Sequence, residues 1–188
     1  MQINDNDKKF LLKTSRDAIT SITTKNERIN PPTDCPEYLK ENLGVFCTIN
    51  KNNDLRGCIG YAEPVKPLID ALIDVSISAA RNDPRFPSLT EKELKDIKIE
   101  ITILTKPELI KVKKLEDYPN KIQIGEDGLI IRKRFYNGLL LPQVATEYNM
   151  NETEFLNNTC LKAGLPSNSW LIDENIEIYK FQGQKFEE

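Results

Sequence analysis

From Ile97 to Ile103 isoleucine stands at every second position, with Lys98, Glu100 and Thr102 between. Side chains alternate across a strand, so this stretch reads as a β-strand with one wholly apolar face and Glu100 on the other. Two helical patterns accompany it. Residues 7–23 place Leu11, Ser15, Ala18, Ile19 and Ile22 at helical spacing with charged residues opposite, which predicts a helix that packs one face on the core. After Pro67, which suits a helix start, Leu68, Leu72, Val75, Ala79 and Ala80 recur every three to four residues and predict a second.

The other elements follow from local signals. Val45, Cys47 and Ile49 alternate with Phe46 and Thr48, and the polar stretch 50–54 leads back into Leu55, so a β-hairpin is expected there. A second hairpin is expected to turn at Asn137-Gly138, between apolar runs at 129–136 and 139–141. Pro36 suits the first turn of a short helix ending near Gly44, and Thr90 with Glu93 forms a capping box. Pro142 starts a helix through Val144 and Tyr148. Asn151 caps another that carries Leu156, Cys160 and Ala163 and stops at Gly164, and Ile176 and Ile178 alternate in a closing strand. From 105 to 127 the chain turns polar and charged. The whole, 1–188, is read as a single domain with a lobe boundary placed within 105–128.

Leu-Arg-Gly-Cys-Ile-Gly at 55–60 is the stretch least like ordinary packing sequence. If it is extended, Arg56 and Cys58 share one face and Leu55, Ile59 and Tyr61 take the other. Gly57 and Gly60 carry no Cβ, which suggests a bulge or the close approach of a ligand or another backbone.

The chain contains no histidine. That removes Ser-His-Asp and Cys-His catalysis, the commonest metal ligand, and the side chain that titrates nearest neutrality. The cysteines, Cys35, Cys47, Cys58 and Cys160, are far apart with no Cys-x-x-Cys pair, so free thiols are expected and a metal site is not. A net charge of -3 argues against a general polyanion binder, and nucleic acid is not an expected partner. The basic clusters 111–114 and 132–134 read as solvated faces beside acidic neighbours. The acceptor patterns at 151–153 and 157–159 read as cap and helix residues. The run Phe10-Leu11-Leu12 is too short for a signal peptide, and no run reaches a membrane-spanning length, so a cytoplasmic location and no membrane contact are expected.

Four motifs in order identify a resemblance: Leu-Arg-Gly-Cys-Ile-Gly at 55–60, Asn-Asp-Pro-Arg-Phe-Pro at 82–87, Leu-Leu-Pro-Gln-Val at 140–144 and Lys-Ala-Gly-Leu-Pro at 162–166. The chain resembles the AMME chromosomal region gene 1 protein family from about Phe10 to Phe181. The resemblance implies an α+β fold, an antiparallel β-sheet flanked by helices with a smaller second lobe. It implies no particular reaction and no particular cofactor. It points to Memo-like dioxygenase-fold proteins and radical-SAM proteins as partners. The family's signature falls on 55–60, with Asp83, Arg85 and Gln143 as further motif members.

Two readings of the site stand side by side. In the first, Arg56, Arg81 and Arg85, with Gly57, Gly60, Asp83, Glu100 and Gln143, line a groove for a small anionic ligand or a partner segment. Arginine offers a planar fork suited to carboxylate or phosphate. The structural alternative is ion pairing of those arginines with Asp83, Glu100 or Asp70. In the second reading Cys58 is a nucleophile or redox thiol favoured by the nearby Arg56. Its alternative is a small buried strand cysteine. The missing histidine favours the binding protein over the enzyme.

Overall fold

A computed structural model describes residues 3–188, so the first two residues of the expected domain lie outside the described residues. In chain order the elements are α1 (Asp5–Thr24), β1 (Val45–Lys51), β2 (Asp54–Tyr61), α2 (Leu68–Arg81), β3 (Ile97–Leu104), β4 (Glu108–Leu109), β5 (Asp127–Lys133), β6 (Tyr136–Leu140), α3 (Pro142–Glu147), α4 (Glu152–Lys162), α5 (Ser169–Ile172) and β7 (Glu177–Glu187). Antiparallel strand pairs flanked by helices make the fold class α+β. The chain divides into two compact units, one running to Leu104 and including Gln184–Glu188, and a smaller one, Thr105–Gly183. Among the described residues no helix is long and apolar enough to cross a membrane.

In the first unit the strands lie in the order β2-β1-β3. The register sets Cys47 beside Ile101 and Ile49 beside Ile99, so the alternation of β1 and β3 falls on one face. That face is covered by α1 and α2, whose Leu11, Ile19, Leu68 and Leu72 are fully buried. Each such side chain contributes about 1.5–3 kcal/mol by leaving water. Asn4 starts α1 by accepting the Asn6 and Asp7 N–H groups at 3.0 and 3.1 Å. Ser15, a fully buried polar position of α1, meets Ser76 of α2 with hydroxyl oxygens 2.7 Å apart, which keeps a buried pair satisfied. The helix expected after Pro36 is only a 3-10 turn, Glu37–Lys40, because Glu41 is already extended. Residues 184–188 run beside β3, where Glu188 N–H donates to the Ile99 carbonyl at 3.1 Å and the Glu188 carboxylate binds Arg16.

In the second unit β5 pairs with β6 on one side and β7 on the other, and β4 pairs with β7. Asn151 and Glu154 cap α4 reciprocally, and Gly164 ends it at φ +79°. Leu129, Ile131, Phe155, Leu156, Cys160 and Ile178 fill the core. Sequence did not foresee α5, which brings Trp170 in to donate to Asn157 Oδ1 at 2.7 Å.

The expected reversal at Asn137-Gly138 is overturned. Lys133 pairs with Tyr136, so Arg134 and Phe135 form the turn, while Asn137 and Gly138 pair with Arg132 and Ile131 inside the strands. Gly138 serves packing instead. A Cβ there would stand 2.3 Å from the Ala163 backbone nitrogen.

Candidate functional site

The motif at 55–60 lies in β2, the outer strand of the first unit, paired on one side with β1. The β1–β2 turn is made by Asn52 and Asn53 at φ 54° and 68°, a conformation asparagine tolerates. From Gly57 to Tyr61 the two strands pair residue for residue, but the register shifts between Ile49 and Asn50, opposite Arg56. The strict alternation expected across Arg56 is therefore interrupted by a bulge.

Both motif glycines are accounted for by close packing within the chain. A Cβ on Gly57 would stand 2.2 Å from the Ala79 carbonyl oxygen of α2, and one on Gly60 would stand 2.1 Å from the Phe46 ring. The ring lies over Gly60 from the neighbouring strand, which fills the space a side chain would take.

Cys58 is opposite Thr48, which is opposite Glu100 on β3, so the three side chains form a row on the sheet face away from α1 and α2. Thr48 Oγ1 donates to Cys58 Sγ at 3.3 Å. Glu100 is two strands from Cys58, about 10 Å by the usual strand spacing, and is ion-paired with Lys185 at 2.6 Å. Proton transfer between thiol and carboxylate therefore has no direct path.

The outer edge of β2 at Cys58 is occupied. Asp83 Oδ2 accepts the Cys58 N–H at 2.8 Å, and Arg85 Nη2 donates to the Cys58 carbonyl at 3.2 Å. One acidic and one basic side chain thus take the two hydrogen bonds that another strand would make. Asp83 also receives Arg85 Nε at 2.9 Å, Arg85 Nη2 at 2.7 Å and the Arg85 N–H at 3.1 Å. The Arg85 guanidinium holds the Asp83 carboxyl well below the usual carboxylate range, against the opposing effect of burial and with help from the Cys58 and Arg85 amides. A carboxylate so engaged is a structural anion and a poor general base.

Arg56 turns to Glu93, its Nε and Nη2 lying 3.0 and 3.3 Å from the two carboxylate oxygens. Lys51 and the Thr90 amide and hydroxyl also donate to Glu93, whose carboxyl is held far below its ordinary value mainly by Arg56. Phe86 connects the two arginines, with Arg56 Cζ 6.0 Å and Arg85 Cζ 5.5 Å from its ring centre.

The fold therefore gathers Arg56, Gly57, Cys58, Asp83 and Arg85, with Glu100 farther along the same sheet. Arg81 goes elsewhere: it binds Asn26 Oδ1 at 2.6 Å and the Ile22 carbonyl, tying the end of α2 to the end of α1. Gln143 is an exposed residue of α3 in the second unit, whereas Arg56, Cys58, Asp83 and Arg85 belong to the first. Sequence reasoning missed Phe86, Thr48 and Glu93 as neighbours of the motif. Glu93 was visible as a capping residue, and Phe86 lay inside the quoted 82–87 motif, but nothing local tied either to Arg56.

Comparison with known proteins agrees with this architecture. The AMMECR1 family model matches residues 12–186. A protein of Methanothermobacter thermautotrophicus is 49% identical over 95% of this chain and 92% of its own length. Protein MJ0810 of Methanocaldococcus jannaschii is 53% identical over 81% of this chain and 77% of its own. The crystal structure of protein PH0010 from Pyrococcus horikoshii superposes with a TM-score of 0.83 at 44% identity, covering 100% of this chain and 94% of that one. With its core, strand order and motif hairpin described and this match covering nearly its whole length, the chain belongs to the AMMECR1 family.

Proposed function

We propose that the chain is a binding protein that holds an anionic group of a small ligand or partner on Arg85, beside Cys58, and that residues 1–188 work as one domain. The observation that carries this reading is the state of Arg85. Its guanidinium is fixed by a carboxylate whose side chain is 2% exposed, yet the arginine side chain is itself 54% exposed. A fork already oriented loses less freedom on meeting an oxyanion than a free one, which favours affinity. The test is thermal shift and calorimetric titration with inorganic phosphate and with nucleotides. Stabilisation of the native chain that is lost in Arg85→Lys supports the reading, because lysine keeps the charge and lacks the fork. Equal responses of the two proteins, or none in either, overturn it. The resemblance supplies Memo-like and radical-SAM proteins as partners for the same titration.

A second reading rests on the Thr48 hydroxyl, which donates to Cys58 Sγ. That contact fixes the sulfur of a thiol that is only half-buried and so within reach of a reagent. Cys47 and Cys160 are buried, and burial pushes Cys47 up to about 11. Alkylation selective for Cys58 over Cys35 supports an enzyme or enzyme subunit, and slow, unselective alkylation sinks that reading.

A further inference from the structure

The β5–β6 turn is built against local preference. Arg134 holds φ at 52°, a left-handed conformation that hairpin turns ordinarily give to glycine or asparagine. Phe135 beside it is 100% exposed and Tyr136 50%. The turn is nevertheless braced. Lys133 at its foot is ion-paired with Asp173. The Tyr136 ring lies 3.6 Å from where a Gly164 Cβ would stand. Around this base Ile172, next to Asp173, is 68% exposed, and Leu161, whose carbonyl accepts the Gly164 N–H, is 57% exposed.

Charge sets the chemistry of what covers them. Arg16, Arg28, Arg56, Arg81, Arg85 and Arg132 each hold a group of this chain. Among the described residues Arg134 holds none, and neither does Lys162 at the end of α4. An unpaired arginine next to exposed aromatic side chains matches the residue types enriched at protein interfaces, and Lys162 adds a second positive charge. Glu174 is exposed directly after the Lys133–Asp173 pair, so a uniformly anionic surface such as a bilayer or a nucleic-acid backbone meets repulsion as well as attraction. Separate carboxylates on a protein avoid it.

We propose that the β5–β6 tip is a docking surface for an acidic protein partner, whose apolar socket takes Phe135 and whose carboxylates meet Arg134 and Lys162. This lies in the second unit, apart from the reading of Arg85.

The test places a photo-crosslinking phenylalanine analogue at position 135 of the full chain in cells, with Tyr148, 71% exposed in the same unit, as the control position. The expected result is one protein adduct at 135 that is absent at 148 and lost when Arg134→Glu and Lys162→Glu are combined with it. The purified adduct partner should bind the unmodified chain, with Kd raised roughly 10-fold or more by Phe135→Ala and raised also by salt. Phe135→Ala leaves the melting temperature unchanged, so lost binding is not lost folding. Adducts alike at both positions, no adduct, an adduct indifferent to charge reversal, or crosslinking to nucleic acid, lipid or a second copy of this chain each overturn the proposal.

Discussion

In the β1–β2 hairpin the left-handed turn positions are held by Asn52 and Asn53, whereas in β5–β6 Arg134 takes that conformation and Phe135 follows it fully exposed. Below their turns the hairpins are alike. Each presses a glycine of its second strand onto backbone at a helix, Gly57 on Ala79 of α2 and Gly138 on Ala163, which caps the end of α4. The difference lies in where each departs from ordinary hairpin chemistry. The first has a conventional turn and an unusual edge, where Asp83 and Arg85 occupy the backbone of Cys58. The second has an unusual turn over conventionally packed strands. Departures from local preference that packing does not require are where function is sought.

The shared packing breaks most readily. Gly57→Val and Gly138→Val are each expected to cost about 3 kcal/mol or more, since the clashing atoms are backbone and cannot rotate away. Denaturant melts check this, and a small loss at either site would show that the two hairpins are not equivalent. Next comes the edge. Asp83→Asn is expected to cost about 2 kcal/mol, discounted for the exposure of Arg85. The same residue sets an acid limit. The folded-state pKa values of Asp83 and Glu93 lie below their unfolded values. Their contribution is therefore complete above about pH 5 and is lost as pH falls below about 4. Melting temperature against pH should fall steeply there, and less steeply in Asp83→Asn.

The turns themselves should respond in opposite directions. Asn53→Ala is expected to destabilise by about 1 kcal/mol, and Arg134→Gly to stabilise by about as much, because only the second removes a strained Cβ. If Arg134→Gly destabilises, the arginine serves the fold and the contrast fails. Smallest of all, Phe135→Ala should change stability by less than about 0.5 kcal/mol, measured by thermal melting, since the ring is wholly exposed.

These residues also show what a sequence can and cannot display. Ile97 to Ile103 declared their strand, and Asn151 its helix start, because both signals are complete within a few residues. The Thr90–Glu93 capping box was equally legible, but Glu93 as the partner of Arg56 was not. That pairing spans 37 positions and exists only once the chain has folded. Asn137-Gly138 misled for a related reason: a glycine required by close packing against the end of α4, in no turn at all, looks locally like one required by a turn. Arg81 was grouped with Arg85 by proximity in sequence, and the end of α2 sent it instead to α1.

Residues 184–188 belong to the first unit although the whole second unit precedes them in the chain. On the ribosome the N-terminal unit must therefore wait, with the outer edge of β3 uncovered, while Thr105–Gly183 is synthesised. Chains of several units ordinarily fold from the N-terminus onward. Here the N-terminal unit is the last to be completed, when Gln184 reaches Ile3 and Glu188 reaches Arg16. A chain released after Gly183 should carry a finished second unit and a first unit open to proteases and chaperones.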